Sequence, residues 1–157
     1  MARSSSPGTA KLTCVRTGFT ITELLLVMTV LGILLTMVLP TAGRAFDVLA
    51  VRAARSALAA AAERARITAL AQGGATLSID AKAGVVRVIS ARGHDVGQPL
   101  RLTDDYGVSL AVPGRDQVGI RYDALGLGRI ANTTVAVSRR SIEGRVVFSM
   151  YGRARVQ

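Results

Sequence analysis

The chain has 157 residues, enough for one modest domain with attachments. Its 20 Lys and Arg against 10 Asp and Glu give a formal net charge of +10, which favours anionic partners such as nucleic acid or anionic lipid. A single cysteine, Cys14, and a single histidine, His94, exclude a disulfide framework and most nucleophile or metal arrangements, so the expectation is a non-enzyme without cofactor or metal.

Residues 1–18 are polar and carry Arg3, Lys11 and Arg16 with no acid. A long apolar run follows, beginning Phe19-Thr-Ile-Thr-Glu23 and ending near Pro40, with no charge from Leu24 to Leu39. Residues 19–40 are long enough to cross a bilayer as a helix, which takes roughly 20 residues. Basic residues before the run hold that end in the cytoplasm by the positive-inside rule, so the bulk of the chain is expected on the far side. An ordinary secretory signal competes, but its apolar region is shorter and carries no carboxylate. A plain signal anchor is the other competitor.

Glu23 bears on that choice. A carboxylate inside an apolar span is costly unless a cation pairs with it. Cutting the chain between Gly18 and Phe19 creates such a cation, a new amino terminus close to Glu23. In a helical assembly the amine of one subunit can pair with Glu23 of its neighbour, so charge pairing favours assembly over the solitary subunit.

From Thr41 to Gln72 the sequence is rich in Ala, Leu and Arg, which favour helix. Helical spacing sorts Arg44, Asp47, Arg52, Arg55, Glu63 and Arg66 onto one side and Phe46, Leu49, Ala50, Ala53, Ala57 and Ala60 onto the other. The apolar side is expected to pack on the rest of the domain, with subunit packing as a competing use. Gly73-Gly74 ends the helix. Short β-prone runs follow at Ala75–Asp80, Val85–Ser90, Pro99–Thr103, Val108–Val112, Val118–Tyr122, Thr133–Ser138 and Arg145–Tyr151. The expected fold is α+β: a long N-terminal helix, membrane-spanning in its first half, packed on a small antiparallel β head. The implied segments are 1–18 as a cleaved leader, 19–40 as the membrane helix, 41–73 as its amphipathic continuation and 74–157 as the head.

Gly18-Phe19-Thr20-x-x-Glu23 followed by a long apolar run resembles the type IV prepilin class, which includes pilins and the pseudopilins of type II secretion. Pro40 sits where many members carry a helix-kinking proline, and Thr22 stands where the class usually has Leu. The resemblance implies cleavage after Gly18 by an inner-membrane prepilin peptidase, N-methylation of Phe19, and assembly with other pilins or pseudopilins on an inner-membrane platform. The head carries a second resemblance. Gly119-Ile-Arg-Tyr-Asp-Ala-Leu-Gly126, the strand around Thr133–Val137 and the ending Val146-Val-Phe-Ser-Met-Tyr-Gly-Arg-Ala-Arg155 resemble the GspH/FimT family. GspH-type members are minor pseudopilins of type II secretion; FimT-type members serve type IV pili, some in DNA uptake.

Other chemistry is sparse. Asp104-Asp105 reads as a turn, Gly126-Leu-Gly128 as a strand-connecting turn, and His94 as a solvated loop residue. The C-terminal part is the basic feature. From Ile120 to Gln157, seven arginines (121, 129, 139, 140, 145, 153 and 155) face Asp123 and Glu143. On an extended strand Arg153 and Arg155 project to one face, where they suit successive phosphates. Gly152-Arg-Ala-Arg155 resembles the Gly-Arg-x-Arg element associated with DNA binding in FimT-type proteins. A solvated edge strand whose charges prevent aggregation explains the same arginines. Three functions are therefore carried forward. The first is a minor pseudopilin, a structural subunit of a periplasmic pseudopilus that supports protein export. The second is a minor pilin of a type IV pilus that binds DNA through Gly152, Arg153 and Arg155. The third is a signal-anchored periplasmic binding domain.

Overall fold

A computed structural model describes residues 18–129, 132–149 and 151–157. The side chains of residues 37–41, within the first helix, are also outside the description. The leader expected at 1–18 therefore falls outside the described residues except for Gly18. The chain divides into two units, Met1–Pro40 and Thr41–Gln157.

The first helix, α1, runs Ile21–Gln72 and enters both units. In the first unit every described residue from Gly18 to Thr36 is exposed, including Leu24, Leu25, Leu26, Met28, Ile33 and Leu34. Of the three threonines in that helical stretch, Thr29 and Thr36 bond their hydroxyls to the helix's own carbonyls. Thr29 Oγ1 donates to the Leu25 and Leu26 carbonyls at 3.0 and 2.8 Å, and Thr36 Oγ1 donates to Ile33 O at 2.7 Å. Among the described residues no helix is long and apolar enough to cross a membrane. The span expected at 19–40 includes residues 37–40, and what remains to Thr36 is short of the roughly 20 residues a crossing needs.

The second unit holds the rest of α1 and two four-stranded sheets. The strands are β1 (Gly74–Asp80), β2 (Val85–Ser90), β3 (Leu100–Arg101), β4 (Ser109–Ala111), β5 (Gln117–Asp123), β6 (Thr133–Arg139), β7 (Ile142–Phe148) and β8 (Ala154–Val156). The sheet orders are β3-β2-β1-β5 and β4-β6-β7-β8, and every pairing is antiparallel. Alternation along the strands explains the layering. Leu77 and Ile79 on β1, Val86 and Val88 on β2, and Val118, Ile120 and Tyr122 on β5 all turn inward. The second sheet contributes Leu110, Val135, Val137, Val146 and Phe148 to the same core.

The face of α1 that meets this core is Val51, Ala54, Leu58, Ala61, Ala62, Ala65 and Ala69. This corrects the expected orientation. Phe46 and Leu49 are 67% and 58% exposed, and Ala53 and Ala60 are also exposed, whereas Asp47 from the supposed polar side is only 4% exposed. The physical reason is alanine. Two sheets approach a helix more closely over small side chains, and alanine is compatible with either face, so periodicity alone does not choose between them.

Asp47 is buried because it is paired. It accepts from Arg139 Nε at 2.9 Å and Arg140 Nη1 at 3.2 Å. Arg139 Nη1 also donates to Tyr106 O at 2.6 Å. Arg140 occupies the β6–β7 turn at φ 52°, a left-handed conformation uncommon for a side-chain-bearing residue. One carboxylate thus ties α1 to the hairpin tip. Arg140 is largely exposed, which limits the effect of losing the pair. Asp47→Ala is expected to lower head stability by about 2 kcal/mol, the scale of a hydrogen bond to a charged group. A urea melt of Asp47→Ala that matches the wild type within error would refute this.

Most expected strands match in place. Three points differ. The run Pro99–Thr103 yields only the two-residue β3 and then a short helix, α2 (Leu102–Tyr106). Asp104 and Asp105 sit in the first turn of α2 rather than in a turn, with Asp104 3.5 Å from Arg101, and Gly107 at φ 62° ends the helix. Acids at a helix start are favoured by the helix dipole. The last expected strand, Arg145–Tyr151, is instead β7 starting at Ile142, followed by a turn and a separate β8.

Candidate processing site and basic surface

Gly18, Phe19 and Thr20 precede α1 in non-helical, exposed backbone, with Phe19 80% exposed. Thr20 caps the helix. Its Oγ1 accepts the Glu23 N–H at 3.2 Å, and its carbonyl accepts the Leu24 N–H at 3.1 Å. Thr20-x-x-Glu23 is therefore the first half of a capping box. Sequence reasoning overlooked this, although Thr followed three residues later by Glu ahead of an apolar run was its signal. Glu23 lies in the first turn of α1, exposed, where a negative charge complements the helix dipole. The Gly18–Phe19 bond is thus accessible and lies outside the helix, just ahead of its capped start.

At the other end of the chain, β7 leads into a tight turn. Gly152 N donates to Ser149 O at 2.9 Å, Ser149 N to Arg153 O at 3.0 Å, and Arg153 N to Ser149 Oγ at 3.3 Å. The turn returns the chain as β8, an edge strand in register Val147↔Arg155 and Phe148↔Ala154 against β7. Gly152 itself is buried at φ +76°. Tyr122, 1% exposed, packs against it and donates its hydroxyl to Gly152 O at 3.3 Å. Burial, reinforced by the nearby Glu63 carboxylate against a smaller opposing effect of Arg66, pushes the Tyr122 hydroxyl up to about 12. Arg153 and Arg155 are exposed and line a groove of about 400 Å3 with Glu63 and Arg66 of α1.

The seven arginines do not act alike. Arg139 and Arg140 are held by Asp47, and Arg145 Nε is 3.0 Å from Glu143. Among the described residues Arg121, Arg129, Arg153 and Arg155 are in no ion pair, and all four are exposed. Gly126-Leu-Gly128 forms the expected turn, organised by Asp123, whose Oδ1 accepts both the Leu125 and Leu127 N–H at 2.9 Å. His94 lies in an exposed loop against Ser90, its N–H 3.2 Å from Ser90 Oγ. Among the described residues no three His, Cys, Asp or Glu side chains come together as a metal site.

No protein-family model matches the chain. No curated protein matches it either. Two solved structures resemble it, both crystal structures of the type IV minor pilin FimU of Pseudomonas aeruginosa strain PAO1. One, in space group P21, aligns at a TM-score of 0.55 over 68% of this chain and 87% of that one, with 13% identity. The other, in space group P65, aligns at 0.52 over 68% of this chain and 91% of that one, also with 13% identity. The likeness is one of fold: a long N-terminal helix on a small antiparallel β head, the type IV pilin-like arrangement.

Proposed function

We propose that this pilin-like chain is the precursor of a minor filament subunit. In this reading residues 1–18 are removed between Gly18 and Phe19, Phe19 becomes the methylated amino terminus, and residues 19–40 anchor the chain in the bacterial inner membrane. The N-terminus is cytoplasmic and the head periplasmic until the subunit joins a pilus or pseudopilus with other pilin-like chains. The observation that carries this is the exposed apolar surface of α1 on a pilin-like head. It begins at a capped start with Glu23 and runs uncovered to Thr36. Separately, in the second unit Phe46, Leu49, Ile67 and Leu70 of α1 are each more than half exposed. The uncovered apolar side chains from Leu24 to Leu35 in the first unit mark an interaction site for membrane or protein. The locally bonded Thr29 and Thr36 hydroxyls suit an apolar environment, because they bring no unpaired donor into it.

Two machines fit such a subunit. A pseudopilus would use it as a structural element supporting protein export. A type IV pilus would use it as a minor pilin whose basic end meets DNA. The second is favoured by one specific observation: Arg155 on the edge strand β8, and Arg153 in the turn just before it rather than on the strand as expected, are both exposed without carboxylate partners among the described residues. The test is a DNA-binding titration of the full chain in detergent across a salt series, beside Arg153→Ala/Arg155→Ala. Binding should weaken with salt, and the double variant should lower the slope of log K against log salt by about 1.4 on single strands, two contacts at about 0.7 each. Equal binding by the variant would remove these arginines from the interface. No binding by the wild type would leave export as the function, checked by loss of a secreted protein when the gene is deleted.

A further inference from the structure

The other two free arginines, Arg121 and Arg129, stand together. Arg129 N donates to Arg121 O at 2.8 Å, closing a loop back against the edge of β5. Both line a cleft of about 380 Å3 that also takes in Thr76 of β1 and Ser90 of β2. One carboxylate, Asp123, shares the cleft. Its Oδ1 is committed to the two backbone N–H groups of the Leu125–Leu127 turn, which offset its charge. The cleft therefore presents two guanidiniums whose charge is not neutralised by an ion pair among the described residues.

This cleft and the groove holding Arg153 and Arg155 are separate cavities, yet the backbones beneath them touch. Tyr122 bridges to Gly128, the residue before Arg129. Gly152, the residue before Arg153, packs so closely that a Cβ on it would lie 2.9 Å from Gly128 N. Arg121, Arg129, Arg153 and Arg155 thus follow one another along adjoining segments. Beside the junction Tyr151 is 72% exposed, an aromatic ring on which a base can stack.

We propose that Arg121 and Arg129 form a second phosphate-binding cleft, so that a single nucleic-acid strand runs from it across the Gly128–Gly152 junction to Arg153 and Arg155. The inference rests on the DNA-contacting reading above. A polymer is the occupant because its phosphates repeat: an isolated phosphate fills one cavity, whereas a strand engages both. Backbone contacts of this kind fix position and supply affinity without reading sequence.

The test uses the full chain in detergent with single-stranded oligonucleotides of stepped length. Wild-type affinity should rise in a step once the strand is long enough to reach both cavities. Arg121→Ala/Arg129→Ala should abolish that step, weaken binding of the long strand on the order of tenfold, and lower its salt slope by about 1.4. Arg121→Lys/Arg129→Lys, which keeps the charge, should restore most of the slope and shows that loss of folding is not the cause. A wild type that binds, is weakened by Arg153→Ala/Arg155→Ala and is indifferent to Arg121→Ala/Arg129→Ala overturns the second cleft and leaves the first reading intact. A wild type that binds no oligonucleotide overturns both readings. Capture by phosphatidylglycerol vesicles, lost in Arg121→Ala/Arg129→Ala, together with no oligonucleotide binding, reassigns the cleft to lipid headgroups and overturns the strand path.

Discussion

Gly152→Ala is expected to destabilise the head by about 3 kcal/mol or more, the scale of an overpacked core combined with a strained backbone. The added Cβ would lie 2.6 Å from Tyr122 Cε1 and 2.9 Å from Gly128 N. Neither neighbour yields easily. Tyr122 is wholly buried, and Gly128 N is main chain, fixed by the bridge to Tyr122. The φ of +76° adds a conformational cost that glycine avoids. A thermal melt should show a fall on the order of 10–20 °C, given roughly 4–8 °C per kcal/mol for a domain of this size. An unchanged melt would mean that the turn re-forms without contact to Tyr122.

That expectation divides the Gly-Arg-x-Arg element into two jobs. The glycine shapes the turn and is buried beneath it, where it sets the placement of its neighbours. The arginines are the groups that solvent, or a phosphate, meets. A Gly152→Ala protein that loses DNA binding therefore says nothing about the glycine as a contact, because the turn and strand that present Arg153 and Arg155 have moved. Tyr122 belongs to the same unit. Its folded pKa is raised above the ordinary value of 10.0 to about 12. The stability that its neutral hydroxyl contributes is thus fully present below about pH 10 and lost as pH rises toward 12.

The helix-plus-strands outline was legible because apolar alternation and Gly-rich turns mark the strands individually. Val85–Ser90 coincides with β2, and Gly73 at φ +80° stops α1 where the glycine pair stood. The division into two sheets was not legible, since pairing depends on which edges meet in space. The face of α1 was misjudged because Phe46 and Leu49 pull the apolar moment outward while the core-facing positions are mostly alanine. Asp47 could not be recognised as buried without Arg139 and Arg140, far along the chain, arriving beside it. The candidate sites show the same split. The motif at Gly18–Glu23 is contiguous and readable. The grouping of Arg121 and Arg129 with Arg153 depends on the contact of Gly128 with Gly152, which no local pattern announces.

Glu23 has two possible duties, and substitutions separate them. As an acid in the first turn, it complements the helix dipole and steadies the start of α1. As the partner of a neighbouring subunit's Phe19 amine, it makes assembly favourable in a low-dielectric setting. Glutamine preserves the length of the side chain and the backbone N–H that Thr20 caps but carries no charge. Glu23→Gln is therefore expected to be cleaved normally at Gly18–Phe19 by a prepilin peptidase, with the mass loss of residues 1–18, yet to be absent from the sheared filament fraction. An uncompensated amine left in a buried pair costs about 3–5 kcal/mol, enough to lower incorporation by at least a hundredfold. Glu23→Ala should match it in the filament fraction. If Glu23→Gln enters filaments like the wild type, the charge is dispensable and the charge pair is refuted. If the precursor itself is never cut, the exposed helix of the first unit belongs to a simple anchor, and the filament reading falls with it.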